Sequence, residues 1–578
     1  MSSEEAGINK HEKKNTVYTV TANCQDCYRC VRVCPVKAIS VRDGQARIED
    51  DLCIKCGTCV RECPQHAKTI RSSLYAVKEL LESGRMVAAS VAPSFAAIFD
   101  GPLAARLPSA LKRLGFGYVS ETAEGAQLVT EETMKNRDKG AICTACPAVV
   151  NFIEKYRPEF VDMLIPVVSP MVAHGRLLKK RLGSDCTVVF IGPCAAKKRE
   201  AQRPENAGAV DAVLTFTELR SWLADENIDL AACPESRFES FGTLDKARLF
   251  PLQGGLLKTG DVPCDGTNAD VLHVSGAKDI IDLLDIPKDQ WRFSLVEPLF
   301  CAGGCINGPG ISSDKNVFLR KQDVIAYAES VSEVPDSDID RAVPARAGFS
   351  GDSIGLISEE VDEEKIRQVL ESQGKLDPEL QLNCGACGYE SCRDNAIAVT
   401  KGMAEPEMCL PYMRRLAQQR TDRIIETSPN GVVILDSELT IIHMNPAFQH
   451  MFMCTGSILG RRISYLLDAD GYEKMASGKL SQYEAIKSRY GKKYHEQLYT
   501  LTAEGQYVGL YTDVTKIRFD NSQIDLIKRQ TVEQAKELLD HQIRVSQEMA
   551  HFLGKSTARS EELVTRLMDL YEEKGSFE

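Results

Sequence analysis

Hydrophobic and polar positions follow two periods along this chain. From Leu74 to Leu81 apolar side chains recur at helical spacing, whereas Cys186 to Ile191 form a short unbroken apolar run of the kind that makes a buried strand. Alternation of such runs from about residue 73 to 345 predicts an α/β layer arrangement. A charged stretch, Ser358 to Lys365, then reads as a solvated helix face or linker. From Ile424 to Phe448 the pattern reads helix, strand, turn, strand, helix, and Gly509 to Thr515 reads as a closing strand. Beyond Thr515 the chain reads as helical. Ile517, Ile524, Thr531, Leu538, Val545 and Phe552 recur every seven residues, while Ile527, Gln534 and His541 are only partly apolar. That suits a weak dimer seam, and hence a homo-oligomer, or a helix packed on its own domain.

At 578 residues the chain is too long for one core and is expected to hold four or more domains. A net charge of −12 argues against non-specific binding to nucleic acid or an anionic membrane surface. No run of about 18 apolar residues occurs and the opening residues form no signal core, so a cytoplasmic protein is expected. The 21 cysteines cluster at close spacings, and with only nine histidines the thiolates favour iron–sulfur ligation over zinc or a disulfide framework.

Cys24, Cys27, Cys30 and Cys34 form C-x-x-C-x-x-C-x-x-x-C-P, and Cys53, Cys56, Cys59 and Cys63 repeat it. Two zinc knuckles would be the alternative reading of these thiols. The doubled run resembles a two-cluster bacterial ferredoxin. That resemblance implies one 4Fe-4S cubane on Cys24, Cys27, Cys30 and Cys63, and a second on Cys53, Cys56, Cys59 and Cys34.

Four more cysteines lie far apart: Cys146 before a proline, Cys194 in a Gly-Pro-Cys-Ala-Ala-Lys run, and Cys301 and Cys305 flanking Ala-Gly-Gly. Only a folded domain could gather them. The three segments resemble the signature motifs of FeFe-hydrogenases. The resemblance implies that Cys146, Cys194, Cys301 and Cys305 hold the cubane of an H-cluster, the last bridging to a diiron subcluster with carbon monoxide, cyanide and a bridging dithiolate. It further implies that Pro93 and Ser94 line the diiron pocket and that Lys197 bonds a cyanide ligand, where an ammonium has an electrostatic reason to be.

The chain also departs from that pattern. Ala145 stands where the family has a proton-relay cysteine, and a methyl group cannot exchange a proton. Cys143 could substitute, but reads better as a packed apolar thiol. The resemblance also implies an altered diiron pocket at three positions, with Gly192 and Leu299 where the family has methionine and Met171 where the pattern has glutamine. Glu121, Glu124, Glu131 and Glu132 fall where relay carboxylates are kept, without individual roles. A cofactor retained while fast proton delivery is lost points to detection of hydrogen.

Cys384, Cys387, Cys392 and Cys409 resemble a small four-cysteine cubane domain, with zinc as the alternative metal. It is expected on the side of the hydrogen site away from the ferredoxin, as a wire to the next module of the chain. The segment from Ile424 resembles the opening of a PAS domain and Gly509 to Thr515 its close. His443 and Cys454 read as packed or solvated side chains, so neither haem nor flavin is expected.

The fold class is therefore multidomain α/β and α+β: a two-cluster ferredoxin over 1–72, an FeFe-hydrogenase-like domain over 73–345, an acidic linker over 346–375, a four-Cys domain over 376–415, PAS over 416–516 and a signalling helix over 517–578. It resembles sensory, PAS-containing FeFe-hydrogenases of anaerobes, with three 4Fe-4S clusters beside the H-cluster. That implies slow turnover of hydrogen and protons, possible exchange with a ferredoxin-like redox partner, and signalling to a separate kinase or phosphatase. The alternatives are a catalytic, ferredoxin-linked hydrogenase, or an iron–sulfur protein like the hydrogenase-related cluster-assembly factors.

Overall fold

A computed structural model describes residues 14–99, 101–242, 244–264, 269–330, 339–351, 362–501 and 505–515. The tail expected to be helical, 517–578, lies outside the described residues. The chain divides into two compact units, with the boundary between Arg414 and Arg415.

The amino-terminal domain is built twice over. A strand at Val17–Thr19 pairs antiparallel with Lys68–Ile70, and a hairpin joins Ile39–Arg42 to Gln45–Ile48. Short helices at Arg29–Val33 and Thr58–Arg61 each start shortly after the second cysteine of a run. Left-handed backbone recurs at equivalent places in the two runs: Asp26 and Lys55, Tyr28 and Gly57, Lys37 and His66. Most of these residues are not glycine, so the loop geometry is imposed at some conformational cost, typically about 1–3 kcal/mol for each such residue.

The central domain holds a four-stranded parallel sheet. Its order is Tyr118–Glu121, Val87–Val91, Thr187–Gly192, Ala212–Thr215. A second parallel pair joins Val271–Ser275 to Leu295–Leu299. The apolar runs that predict these strands are buried on both faces, which is what helices on either side of a parallel sheet require. Helices Pro147–Tyr156 and Pro170–Leu182 both take proline at their first turn, preceded by Cys146 and Ser169 as caps. Proline fits there because its missing N–H would have no helical partner.

The segment expected as an acidic linker is not a simple connector. Arg346 forms an antiparallel bridge with Val167, Ala347 N–H donates to the Pro166 carbonyl at 3.1 Å, and the Ala347 side chain packs against the central core. Helix Glu363–Ser372 buries Ile366 and Leu370 against Cys392 and Ala396. Its outward face carries the acidic residues, and its inward face is the reason it is not a free linker. Helix Cys392–Thr400 starts at a reciprocal cap between Ser391 and Asp394, a device that contributes about 1 kcal/mol.

In the second unit, five antiparallel strands run in the order Ile441–Met444, Gly431–Leu435, Gln506–Asp513, Lys492–Leu501, Gln482–Arg489. Phe448, Phe452, Tyr494 and Tyr511 pack ring against ring inside it. Asn445 is fully buried. Its side chain accepts from Val432 and Phe448 N–H and donates to the carbonyls of Ile425 and Asn430, tying helix Leu410–Thr427 to the sheet.

Candidate metal centre

The central cavity opens at the carboxyl ends of the parallel strands, where an α/β sheet ordinarily binds its ligands. Val91 leads into Pro93 and Ser94, Gly192 into Cys194, and Leu299 into Cys301. These three turns, with Ala145, Cys146, Met171, Lys197 and Cys305, line one space of about 850 Å³ including its mouth. Segments up to about 210 residues apart in sequence thus meet.

Cys301 interacts electrostatically with Cys194, Cys305 and Cys146, and all four thiols form one set. Burial pushes Cys194 up to about 12, with Cys146 adding to the rise, and drives Cys301 and Cys305 upward as well. Four thiolates this deep repel one another unless cationic metal lies between them. Cys194 also accepts hydrogen bonds from the backbone of Lys197 and Ala196, as a cluster-bound sulfur does. The donor set fits an iron–sulfur cubane.

The other cysteines fall into three further sets. Cys30 interacts with Cys24, Cys27 and Cys63, while Cys59 interacts with Cys53, Cys56 and Cys34. The fourth cysteine of each run therefore stands with the opposite run, as the ferredoxin resemblance implies. N–H groups of Ala38 and Ala67, equivalent in the two runs, donate to Cys34 and Cys63 sulfur at 3.3 Å. Cys384, Cys387, Cys392 and Cys409 line one small recess, and Lys375 Nζ lies 3.1 Å from Cys392 sulfur. Among the described residues, no three His, Cys, Asp or Glu are drawn together tightly enough to hold a single metal ion.

Family models match the chain in the same order: a 4Fe-4S dicluster domain over 23–68, the C-terminal domain of the iron only hydrogenase large subunit over 85–309, a putative Fe-S cluster over 381–411 and a PAS domain over 419–484. The chain carries an FeFe-hydrogenase-like domain. Ferredoxin, small iron–sulfur and PAS domains complete it. The NADP-reducing hydrogenase subunit HndD of Solidesulfovibrio fructosivorans is 25% identical over 377 residues, 54% of this chain and 60% of its own length. The cytosolic Fe-S cluster assembly factor NAR1 of Vanderwaltozyma polyspora is 37% identical over 117 residues, 20% of this chain and 22% of its own. The chain thus spans between 22% and 60% of these curated relatives. The solved FeFe-hydrogenase HydA(deltaEFG) superposes with a TM-score of 0.38 at 18% identity, covering 49% of this chain and 100% of that one.

Some expected site residues behave differently from the sequence reading. Gly192 is not itself part of the cavity wall: a side chain there would meet the Phe190 ring at 2.4 Å, and Phe190 lines the cavity instead. Of the two adjacent lysines, both are buried. Lys197 Nζ reaches Glu200 Oε2 at 2.8 Å and the Ala145 carbonyl at 3.4 Å beside the cavity. Lys198 instead ties Ser73, Val213 and Glu218 together. Among the described residues, none of the four glutamates singled out lines the cavity. Glu121 pairs with Arg248 and Glu124 with Arg181 in buried bridges, while Glu131 meets Arg341 and Glu132 meets Lys135 nearer the surface. Phe250 and Pro251, which no sequence pattern marked, complete the wall.

The four-Cys domain is also placed differently from expectation. It packs on the ferredoxin domain, where Tyr389 and Cys387 join the core that contains Val31 and Ile39.

Proposed function

We propose that this chain binds hydrogen in the central cavity and oxidises it slowly to two protons and two electrons. Redox state then passes through iron–sulfur clusters toward the PAS unit, which signals to a separate kinase or phosphatase. Cys146, Cys194, Cys301 and Cys305 would hold the cubane. The ferredoxin sets and the four-Cys set would hold three more 4Fe-4S clusters. When bound, the diiron group supplies an open iron position for heterolytic cleavage of hydrogen.

The observation that carries this reading is Ala145. It lines the cavity next to Cys146, and its methyl neither gives nor takes a proton. Cys143 faces the apolar core at 2% exposure, and burial pushes its thiol well above the ordinary range, which makes it a reluctant acid. Lys197, held by Glu200, presents an ammonium at the cavity edge where an anionic ligand would be stabilised. Pro93, Ser94 and Met171 line the same cavity. The cavity thus keeps Lys197, Pro93 and Ser94 on its lining while lacking a proton-carrying side chain at the position of Ala145.

The test compares hydrogen oxidation and evolution by anaerobically matured protein with an Ala145→Cys variant at equal diiron loading, confirmed by infrared spectroscopy. Weak wild-type activity with hydrogen-responsive bands, and a variant about a hundredfold faster, are expected. Wild-type turnover as fast as a metabolic hydrogenase would sink the sensory reading in favour of a catalytic, ferredoxin-linked one. The stretch of 37% identity to an Fe-S cluster assembly factor favours a second reading, in which the cavity serves no hydrogen chemistry. Matured protein without carbon monoxide and cyanide bands would support that alternative.

A further inference from the structure

We infer that the ferredoxin domain is a branch point, and that Lys37, Gly388 and Tyr389 form the junction through which an electron leaves it for the four-Cys cluster. The inference rests on the proposed assignment of iron–sulfur clusters to the cysteine sets, but not on hydrogen chemistry.

One side of the branch faces the central cavity. Helix Pro147–Tyr156, capped by Cys146, is hydrogen-bonded along its length to the ferredoxin loop: Asn151 donates to the Ile54 carbonyl at 3.0 Å, Lys155 to that of Cys53 at 3.0 Å and Tyr156 to that of Leu52 at 2.6 Å. Cys56 lines the same cavity as Cys146 and Cys194. The set of Cys34, Cys53, Cys56 and Cys59 is therefore the ferredoxin set that abuts the hydrogen site.

The other side faces the four-Cys domain, and it starts from the same set. Lys37 Nζ donates to the carbonyls of Val31 and Arg32 at 3.2 Å and to that of Gly388 at 2.8 Å, clamping the end of one ferredoxin helix to the four-Cys loop. Gly388 has φ +93°, and a side chain there would stand 3.0 Å from Val31 and 3.1 Å from Arg32 N, so backbone meets backbone. Tyr389, 5% exposed, interacts electrostatically with both Cys387 and Cys34, and Lys37 does the same. The Tyr389 hydroxyl is buried without a hydrogen-bond partner among the described residues, although a cluster sulfur would accept from it. Arg32 to the Ala386 carbonyl at 3.1 Å, and Val41 N–H to that of Met403 at 3.0 Å, widen the contact.

These groups have a physical task. Two anionic clusters side by side repel, and an ammonium between them offsets part of that cost when both are reduced. In the transfer, the cluster on Cys34, Cys53, Cys56 and Cys59 loses one electron and the four-Cys cluster gains it. No bond breaks and no proton need move. Cys409 directly precedes helix Leu410–Thr427, so the electron arrives one residue from the helix that enters the PAS unit.

The experiment uses the full chain with reconstituted clusters and no diiron group, reduced by dithionite. The electron paramagnetic resonance signal of the four-Cys cluster is identified by its loss in Cys387→Ser, and its microwave power saturation is measured. In wild type a reduced neighbour should make it relax fast. Gly388→Leu, at unchanged iron content, should lower the half-saturation power several-fold. If that variant loads less iron, Lys37→Met, which removes three hydrogen bonds without adding bulk, carries the test with the same expected drop. Relaxation equal to wild type in a fully loaded variant would overturn the junction. Because hydrogen is absent, that failure is distinct from failure of the hydrogen reading.

Discussion

At Glu297, two residues before the cavity-lining Leu299, a carboxylate is buried, 2% exposed, accepting N–H bonds from Leu256 at 3.1 Å and Leu257 at 3.2 Å. Burial pushes it up from 4.5 to about 7, more than those bonds pull it down. The folded state therefore binds this proton more tightly than the unfolded chain does. The resulting stability is complete below about pH 4.5 and is lost as pH rises through about 7, by no more than about 3 kcal/mol. Urea midpoints across that window should fall less steeply for Glu297→Gln than for wild type, and parallel curves would show that the carboxyl does not titrate there. Neither its depth nor its bonds can be read from a glutamate before a proline. By contrast, the alanine at position 145 is legible at once, because a missing thiol needs no coordinates.

Among the elements, the loop Cys301 to Cys305 depends on its backbone. Gly304 has φ +95°, and an added methyl would stand 2.4 Å from the Pro251 carbonyl oxygen. Cys305 N–H already donates to that same oxygen at 2.7 Å. Gly304→Ala should therefore cost about 2 kcal/mol, read as a lower urea midpoint, and reduce iron in the central set. Unchanged stability and iron content would mean that the loop yields without disturbing its thiols. The strand Thr187–Gly192 and the helix Leu74–Glu82 are visible in the hydrophobic pattern within a residue or so. Helix Glu363–Ser372 is hidden, because its acidic residues outnumber the two apolar side chains that anchor it.

For the whole molecule, all four thiol sets lie in the first unit, and the aromatic interior of the second is closed by its own side chains. Tyr472 and Tyr511 share a hydrogen bond at 2.9 Å, and Tyr511 reaches Glu496 at 3.1 Å. Glu496 is paired in turn with Lys487 at 2.8 Å, so the buried carboxylate is compensated. Residues 1–414 and 415–578 expressed separately should each fold, with iron–sulfur absorbance confined to the first. Colour in the second, or cooperative unfolding lost in either, would contradict that division.

The sequence alone determined the chemistry that spacing controls. The first three thiols of each run, separated by two residues, converge on one local centre, and a repeated run implies a repeated loop, which the matching left-handed residues Asp26 and Lys55 bear out. Tertiary structure decided what depends on surfaces meeting. The space beside Gly192 went to Phe190, Lys198 became a tie while Lys197 faced the cavity, and the four-Cys domain settled on the ferredoxin. Such outcomes follow from shape and burial shared between distant segments, and no local pattern in the chain encodes them separately.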